Sequence, residues 1–459
     1  MSRNLIACVD FGSTFTKGAL VDVSSGELVA VASHRTTVDT DVLDGWAACL
    51  DRLAAVDPAA RDAEVLACSS AGGGLRIAVV GNEELVTAEA GRRVALSSGG
   101  RVVHVASGGL DRHEIQALRH DRPDVVLLVG GTDGGNAEVL LQCADALAGA
   151  GWPGPVVVAG NIDAQAEVAA RFEASGTPYV LADNVVPRIG VLSPGSARAA
   201  IRAMFLRHVI GGKHLSGHAE FTSMVQGATP DVVLTAVELL SRGLDEQHPG
   251  AGDVVVVDVG GATTDVYSVV EVDPEDAGLS REVVATVPAS RTVEGDLGMR
   301  WSAESTVGAG VALALLDAES VGDLEKAAAR RHRDPGYVPE DDAERALDHE
   351  LASVAIGVAV RRHAGRAQVV FGPDGRVVER TGKDLREADL LVGSGGVLRH
   401  SGDAGPEVLL RRLGDDGQGW QLPESPRVVV DTDYVLAPAG LLAARHPVAA
   451  HRLLQRLLG

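Results

Sequence analysis

Short apolar runs separated by polar turns open the chain. Leu5–Val9, Gly18–Val23 and Glu27–Ser33 each have strand length, and Ser24-Ser25-Gly26 supplies the second turn. That pattern predicts a three-strand meander. A helix follows over Val42–Ala55, then a strand at Glu64–Ser69 that leads into the glycine run Gly72–Gly74. From Leu75 to about Asn184 the pattern becomes strand, helix, strand. Strands fit Leu75–Val80, Arg101–Ala106, Asp124–Val129, Pro155–Ala159 and Pro178–Leu181, with helices between them. Val125–Val129 and Val156–Ala159 are continuously apolar, as strands buried on both faces of a parallel sheet are. Such a βαβ series predicts a Rossmann-like unit inserted into the first domain.

The opening pattern then returns. Asp253–Val257 is a strand, Asp258–Asp265 a glycine-rich turn, and Val266–Val272 and Glu282–Val287 the next two strands. Asp10 aligns with Asp258, Gly12 with Gly260 and Thr16 with Thr264. The spacing is roughly 250 residues, a single duplication and not a solenoid array. Further on, Ala343–His363 is the longest helical pattern. The strand Asp389–Val392 enters Gly393-Ser394-Gly395-Gly396, and Val428–Asp431 is another strand. The organisation predicted is a first domain begun by 1–74, an inserted α/β unit at 75–190, a helical connection at 191–250, a second domain at 251–442 and a C-terminal helix at 443–459.

Composition narrows this picture. At 459 residues the chain has room for several domains, and its 46% hydrophobic residues fill large cores. Aromatics are only 3%, so Ala, Val, Leu and Gly do the filling. A formal charge of −22 argues against nucleic-acid backbones and anionic membranes as partners. Cys8, Cys49, Cys68 and Cys143 form no CxxC pair or metal spacing, which fits a reducing cytoplasm. The N-terminal residues have no signal-peptide character, and no charge-free apolar run reaches the length of a membrane span.

The chemistry is concentrated in the repeated turns. Gly12 lets backbone approach an anion, turn N–H groups and the hydroxyls of Ser13, Thr14 and Thr16 donate, Lys17 adds positive charge, and Asp10 can hold magnesium through its waters. Taken alone this is equally an ordinary polar hairpin. The second copy favours two phosphate-facing tips that clamp a polyphosphate and its Mg²⁺ across a cleft. The strand–glycine–helix junction at Gly393–Gly396 lets backbone pass under a flat ring or a phosphate. Gly130–Asn136 is another glycine-rich loop at a strand end; it either binds a ligand or is a tight turn in which Asp133 or Asn136 caps the next helix.

The ordered set of Asp-x-Gly-Ser-Thr-x-Thr-Lys, Asp-x-Gly-Gly-x-Thr-Thr-Asp, Gly-Ser-Gly-Gly and a late Ala-Gly-Leu-Leu helix resembles the actin-like ATPase superfamily. Within it the chain is most similar to the MutL-type accessory proteins of glutamate mutase. Asp10–Lys17, Leu128–Gly135, Asn184–Gly190, Val259–Asp265, Glu294–Arg300 and His446-Pro carry this. The resemblance implies an α/β fold of two duplicated ribonuclease-H-like domains around a nucleotide cleft. It implies ATP and ADP with Mg²⁺ as ligands, and a chaperone role toward an adenosylcobalamin-dependent mutase.

Carried over residue by residue, Asp10 and Asp258 face the Mg²⁺. Gly12, Ser13, Thr14, Thr16 and Lys17 hold phosphates from one side, and Gly260, Gly261, Thr263 and Thr264 from the other. Asp265, with Thr264, positions the attacking water or else braces its hairpin. Gly393, Ser394, Gly395 and Gly396 pass near adenosine. Glu294, with Gly295 and Asp296, either completes the nucleoside pocket or forms a turn and helix cap. A metabolite kinase of the same superfamily and an actin-like filament protein are the rival readings, and homo-oligomerisation is left open.

Overall fold

The computed structural model describes residues 3–71, 75–210, 215–271, 288–372, 375–414 and 417–459. The first meander forms from β1 (Leu5–Phe11), β2 (Phe15–Asp22) and β3 (Glu27–Arg35). All seven residues of β1 are buried, because it lies between two neighbouring strands with both faces covered. Its antiparallel register with β2 pairs Asp10 with Lys17 and Phe11 with Thr16. The helix Val42–Val56 packs on β2 at Gly18, where an added Cβ would lie 3.0 Å from the Trp46 ring. β4 (Glu64–Ser69) runs parallel to β1 and sets Cys68 beside Asp10.

The inserted sheet consists of β5 (Leu75–Gly81), β6 (Gly100–Ser107), β7 (Val125–Leu128), β8 (Val156–Val158) and β9 (Tyr179–Leu181). Its order is β6-β5-β7-β8-β9 and every pair is parallel. Strand alternation gives it two apolar faces. Ala78, Val80, Val126 and Leu128 meet Leu118, Leu140 and Phe172 of the covering helices. Ile77, Val79, Val125 and Leu127 share a core with Leu5, Val9 and Phe11. A further strand, β10 (Val225–Ala228), pairs parallel with β4 and completes the first sheet in the order β10-β4-β1-β2-β3. That strand falls within 191–250, the stretch expected as a helical connection.

The same expected helical connection ends in a short ribbon of β11 (Gly243–Asp245) and β12 (His248–Pro249). The second sheet then opens with β13 (Val254–Val259) and β14 (Thr264–Val269). The expected third strand, Glu282–Val287, lies outside the described residues, as does Gly72–Gly74. The strand that pairs with β14 is β15 (Ala289–Glu294). A hairpin of β16 (Arg366–Gly372) and β17 (Gly375–Thr381) precedes β18 (Leu390–Ser394) and β19 (Arg427–Val430). The sheet order is β15-β14-β13-β18-β19.

Counted from its own first strand, each mixed sheet has the order 3-2-1-4-5. In each the second strand is antiparallel to the first, and the fourth and fifth are parallel to it. This is the ribonuclease-H-like order used twice, the fold class expected from the repeat: the duplicated fold of the actin-like ATPase superfamily with an inserted parallel α/β sheet. The chain up to Val233 makes up most of one compact unit, and the chain from Leu234 most of the other.

In the second unit the 22-residue helix Asp342–His363 is capped by Asp341, whose side chain accepts from the Glu344 N–H. It buries Val354, Val358 and neighbours against Val255 and Val257. Its Asp348 binds Arg331, a side chain with no exposed surface, at 2.5 Å, and Arg300 at 3.1 Å. No helix among the described residues is long and apolar enough to cross a membrane.

Candidate functional site

The β1–β2 tip is a tight turn closed by the Gly12 N–H donating to the Phe15 carbonyl at 3.1 Å. An added Cβ on Gly12 would lie 2.6 Å from that carbonyl oxygen, so the turn requires glycine. The carbonyls of Phe11, Gly12 and Thr14 are tied inward. Ser70 and Ala71 N–H groups donate to Phe11, the Thr36 hydroxyl donates to Gly12 at 2.7 Å, and the Thr36 N–H donates to Thr14. The N–H groups of Ser13, Thr14 and Phe15 find no acceptor among the described residues. A turn with its acceptors used and its donors unspent is a cradle for an anion. Ser13 is exposed and Thr14 and Lys17 are half-buried beside it. Thr16 lies apart from them: its side chain is buried, 3.3 Å from the Thr36 hydroxyl. Asp10 is buried at the base of the turn, where Oδ1 accepts from the Thr229 hydroxyl at 2.5 Å.

The β13–β14 tip reaches the same state with different partners. Gly260 N–H donates to Thr263 O at 2.8 Å. Met299 N–H donates to Gly260 O, Arg300 and Trp301 N–H groups to Gly261 O, and the Ser302 hydroxyl to Ala262 O. The N–H groups of Gly261, Ala262 and Thr263 have no acceptor among the described residues. The register sets Asp258 opposite Asp265 and Val259 opposite Thr264. Thr264 is fully buried and its hydroxyl has no partner among the described residues. Asp265 Oδ1 accepts from Arg291 Nη2 at 2.8 Å.

The carboxyl ends of three parallel strands bring further residues to Asp258. Ser394 on β18 is its neighbour in register, and Asp431 follows β19, donating its N–H to Gly393 O. Asp431 is buried and takes the N–H groups of Val435 and Leu436, capping the helix Leu436–Ala443. Burial raises its pKa to about 6, the two N–H groups and Arg399 oppose the shift, and the Asp258 charge adds to it. Gly395 has φ +103°, and a Cβ there would lie 2.2 Å from Val259 O; Gly396 meets nothing within 4 Å. Backbone therefore passes bare beside the end of β13.

Glu294 and Asp296 converge on one cation. Arg362 Nη1 reaches Glu294 Oε2 and Asp296 Oδ1, each at 2.7 Å, and Nη2 reaches Asp296 Oδ2 at 2.9 Å. Burial raises the Glu294 pKa while Arg362 opposes the shift, and the Asp296 hydrogen bond leads in raising that of Arg362. In the inserted sheet, Asn136 caps its helix by accepting from Glu138 N–H. Asp133 instead accepts from Asn184 Nδ2 at 2.8 Å and Ile162 N–H at 3.1 Å, binding three loops together. Sequence reasoning did not single out Thr36, Thr229, Arg291 or Asp431, and read Arg362 only as a cation suited to the end of the Ala343–His363 helix. The one available signal was the acid that ends the Val428–Asp431 run.

The profile of the MutL protein family matches residues 6–458. Protein MutL of Clostridium tetanomorphum is 36% identical over 455 residues, with 98% of each chain covered. Solved structures with some likeness include the activator of the 2-hydroxyisocaproyl-CoA dehydratase from Clostridium difficile with bound ADPNP. It is 10% identical, covers 97% of this chain and 95% of its own, and has a TM-score of 0.34. Xylulose kinase from Bifidobacterium adolescentis is 12% identical, covers 98% and 93%, and has a TM-score of 0.30. On the family profile and the full-length relative, the chain belongs to the MutL protein family.

Proposed function

We propose that the protein is a magnesium-dependent ATP hydrolase that acts on a partner enzyme. The observation that carries this is the state of the two turns: acceptors tied inward, three N–H donors unspent on each, and a carboxylate at the base. Ser13, Thr14 and Lys17 in one turn, and Gly261, Thr263 and Thr264 in the other, donate to phosphate oxygens. Gly12 and Gly260 keep the turns tight enough to present those donors. Gly393–Gly396 lie under the nucleoside, and Glu294 is held by Arg362 at its edge. Among the described residues no three His, Cys, Asp or Glu side chains gather as a metal cage. Mg²⁺ needs none, since one or two carboxylates, waters and substrate phosphates satisfy it. Asp10 and Asp258 are the carboxylates for it, and bound there it would neutralise charge on the transferring phosphoryl group.

Asp265 accepts a hydrogen bond from the attacking water. As the water oxygen bonds to the γ-phosphorus, the bond to the β–γ bridging oxygen breaks, ADP leaves, and the water's proton goes with inorganic phosphate. The protein's part is placement and charge, which suits phosphoryl transfer. Loss of the γ-phosphate removes the anion that the turn donors face, so the ATP and ADP states differ in free energy and a partner can respond to that difference.

The partner is an adenosylcobalamin-dependent mutase such as glutamate mutase, a reading supported by the family resemblance. Phosphate release from Mg-ATP, with and without the mutase, tests the first part. Recovery of activity by a mutase blocked with cyanocobalamin tests the second. Phosphate release without recovery leaves an ATPase serving a different enzyme; transfer to a small acceptor in place of water points to a kinase.

A further inference from the structure

Arg291 stands on β15 directly opposite Tyr267 on β14. Its side chain is 4% exposed, and its guanidinium carbon lies 5.6 Å from the Tyr267 ring centre. Nη2 donates to Asp265 Oδ1, while Nε and Nη1 meet no acceptor among the described residues. A buried guanidinium with one carboxylate partner is expensive unless that partner compensates its charge. Burial works against the charge, and Asp265, together with Tyr267, more than offsets it, so the Arg291 pKa is raised.

The β13–β14 register creates a problem that Arg291 answers. Asp258 and Asp265 are opposite residues of an antiparallel pair, so both carboxylates stand on one face. Like charges in that position repel. Arg291 reaches only Asp265 of the two, and by a single nitrogen. One carboxylate oxygen is thereby fixed and its charge balanced. The other, Oδ2, accepts from no described residue, and the side chain keeps 14% exposure.

We infer that Arg291 is the positioning residue of Asp265: it fixes one carboxylate oxygen so that the other meets the attacking water in one orientation. This rests on the proposed ATPase reading. Arg291 touches neither substrate nor metal; it acts through Asp265, and Tyr267 beneath it fills the space that would let the guanidinium swing away.

The test is steady-state phosphate release, with titration of ADP and of ADP with aluminium fluoride, a mimic of the phosphoryl group in transfer. Arg291→Gln is expected to lower kcat on the order of 100-fold with KM for ATP little changed, as misplacement of a reacting group does. It is expected to weaken the mimic by a similar factor and leave ADP affinity unchanged. Arg291→Lys, which can remake a single contact, should restore most of the loss. Should Arg291→Gln fail to fold, Asp265→Asn is compared with Asp265→Asn/Arg291→Met, where no charge is left unpaired; equal kcat is expected. A wild-type kcat in Arg291→Gln, or a further tenfold loss on adding Arg291→Met to Asp265→Asn, overturns the role. Wild-type protein that releases no phosphate, alone or with its partner, sinks the ATPase reading and this role together; an active wild type with an indifferent Arg291 sinks this role alone.

Discussion

Gly395 and Gly396 are neighbours in sequence but should answer substitution in opposite ways. At Gly395 the backbone has φ +103° and ψ 159°, a region essentially restricted to glycine. Forcing alanine there costs roughly 1–3 kcal/mol in backbone strain alone. The new Cβ would also lie 2.2 Å from the Val259 carbonyl, which must move by about an ångström to reach a tolerable contact. With roughly 1–3 kcal/mol more for that overpacking the sum is about 2–6 kcal/mol, and the displaced residue adjoins the β13–β14 tip. Gly396 opens the short helix Gly396–Arg399 at an ordinary φ, with nothing within 4 Å of an added Cβ. Alanine there should leave stability unchanged or raise it by about 0.4–1 kcal/mol. If nucleotide lies over this bare backbone, that same methyl occupies its place and weakens ADP about tenfold or more, equivalent to ~1.4 kcal/mol. Urea unfolding and calorimetric titration of ADP on both variants decide the matter. A Gly396→Ala protein that binds ADP like the wild type refutes the placement of nucleotide at this junction. A Gly395→Ala protein that loses less than about 1 kcal/mol refutes the backbone argument.

Three other outcomes are expected. Asp348→Asn should cost more than Arg331→Met, about 3–5 against 1–2 kcal/mol in urea: losing Asp348 takes the carboxylate from Arg300 and leaves the fully buried Arg331 with Glu344 alone, whereas losing Arg331 leaves Asp348 paired with Arg300 and Glu344 with Arg330; a reversed order would falsify this account of the network. His363 sits between the Thr292 and Ser268 hydroxyls with its pKa lowered by burial to about 3, and Lys383 pushes the same way. The unfolded chain takes up this proton first, so between about pH 6.5 and pH 3 stability falls as pH falls, by at most about 1.4 kcal/mol per pH unit. His363→Asn should flatten that slope, and an unchanged slope would place the pH dependence elsewhere. Thr229→Val removes a hydrogen bond to the buried Asp10 carboxylate and should destabilise by roughly 2 kcal/mol; Asp10→Asn should keep the fold yet abolish magnesium-dependent phosphate release, and retained release would remove Asp10 from the metal site.

What could be read from the sequence was what is local. The hairpins at Asp10 and Asp258 are contiguous strand–turn–strand patterns, and their registers follow from the turn. The inserted parallel sheet announced itself through the continuous apolar runs at Val125 and Val156. What escaped depends on partners distant in sequence. β10 is four residues long with Gln226-Gly227 at its centre, and only its pairing with β4 makes it a strand. β15 reads Ala-Ser-Arg-Thr-Val-Glu, too polar to suggest a buried strand. Arg291 is buried there only because Asp265 and Tyr267 receive it. Arg362 was legible as a cation suited to a helix C-terminus, yet its contacts are Glu294 and Asp296, 68 and 66 residues away.

The two tips also show what the duplication has kept. Aligned side chains have diverged: Lys17 stands at the register position of Asp10, but Asp265 at that of Asp258. The groups that tie down the tip carbonyls are unrelated, Ser70, Ala71 and Thr36 in one case and Met299, Arg300, Trp301 and Ser302 in the other. The outcome is nevertheless the same, three consecutive N–H groups without acceptors among the described residues around an acid-based turn. Unspent N–H groups in a folded chain carry a cost unless water or a ligand takes them. On the proposed ATP-hydrolase reading, two unrelated sets of contacts arrive at the same unspent donors because both halves of the chain hold an anion by backbone, more than by any one side chain.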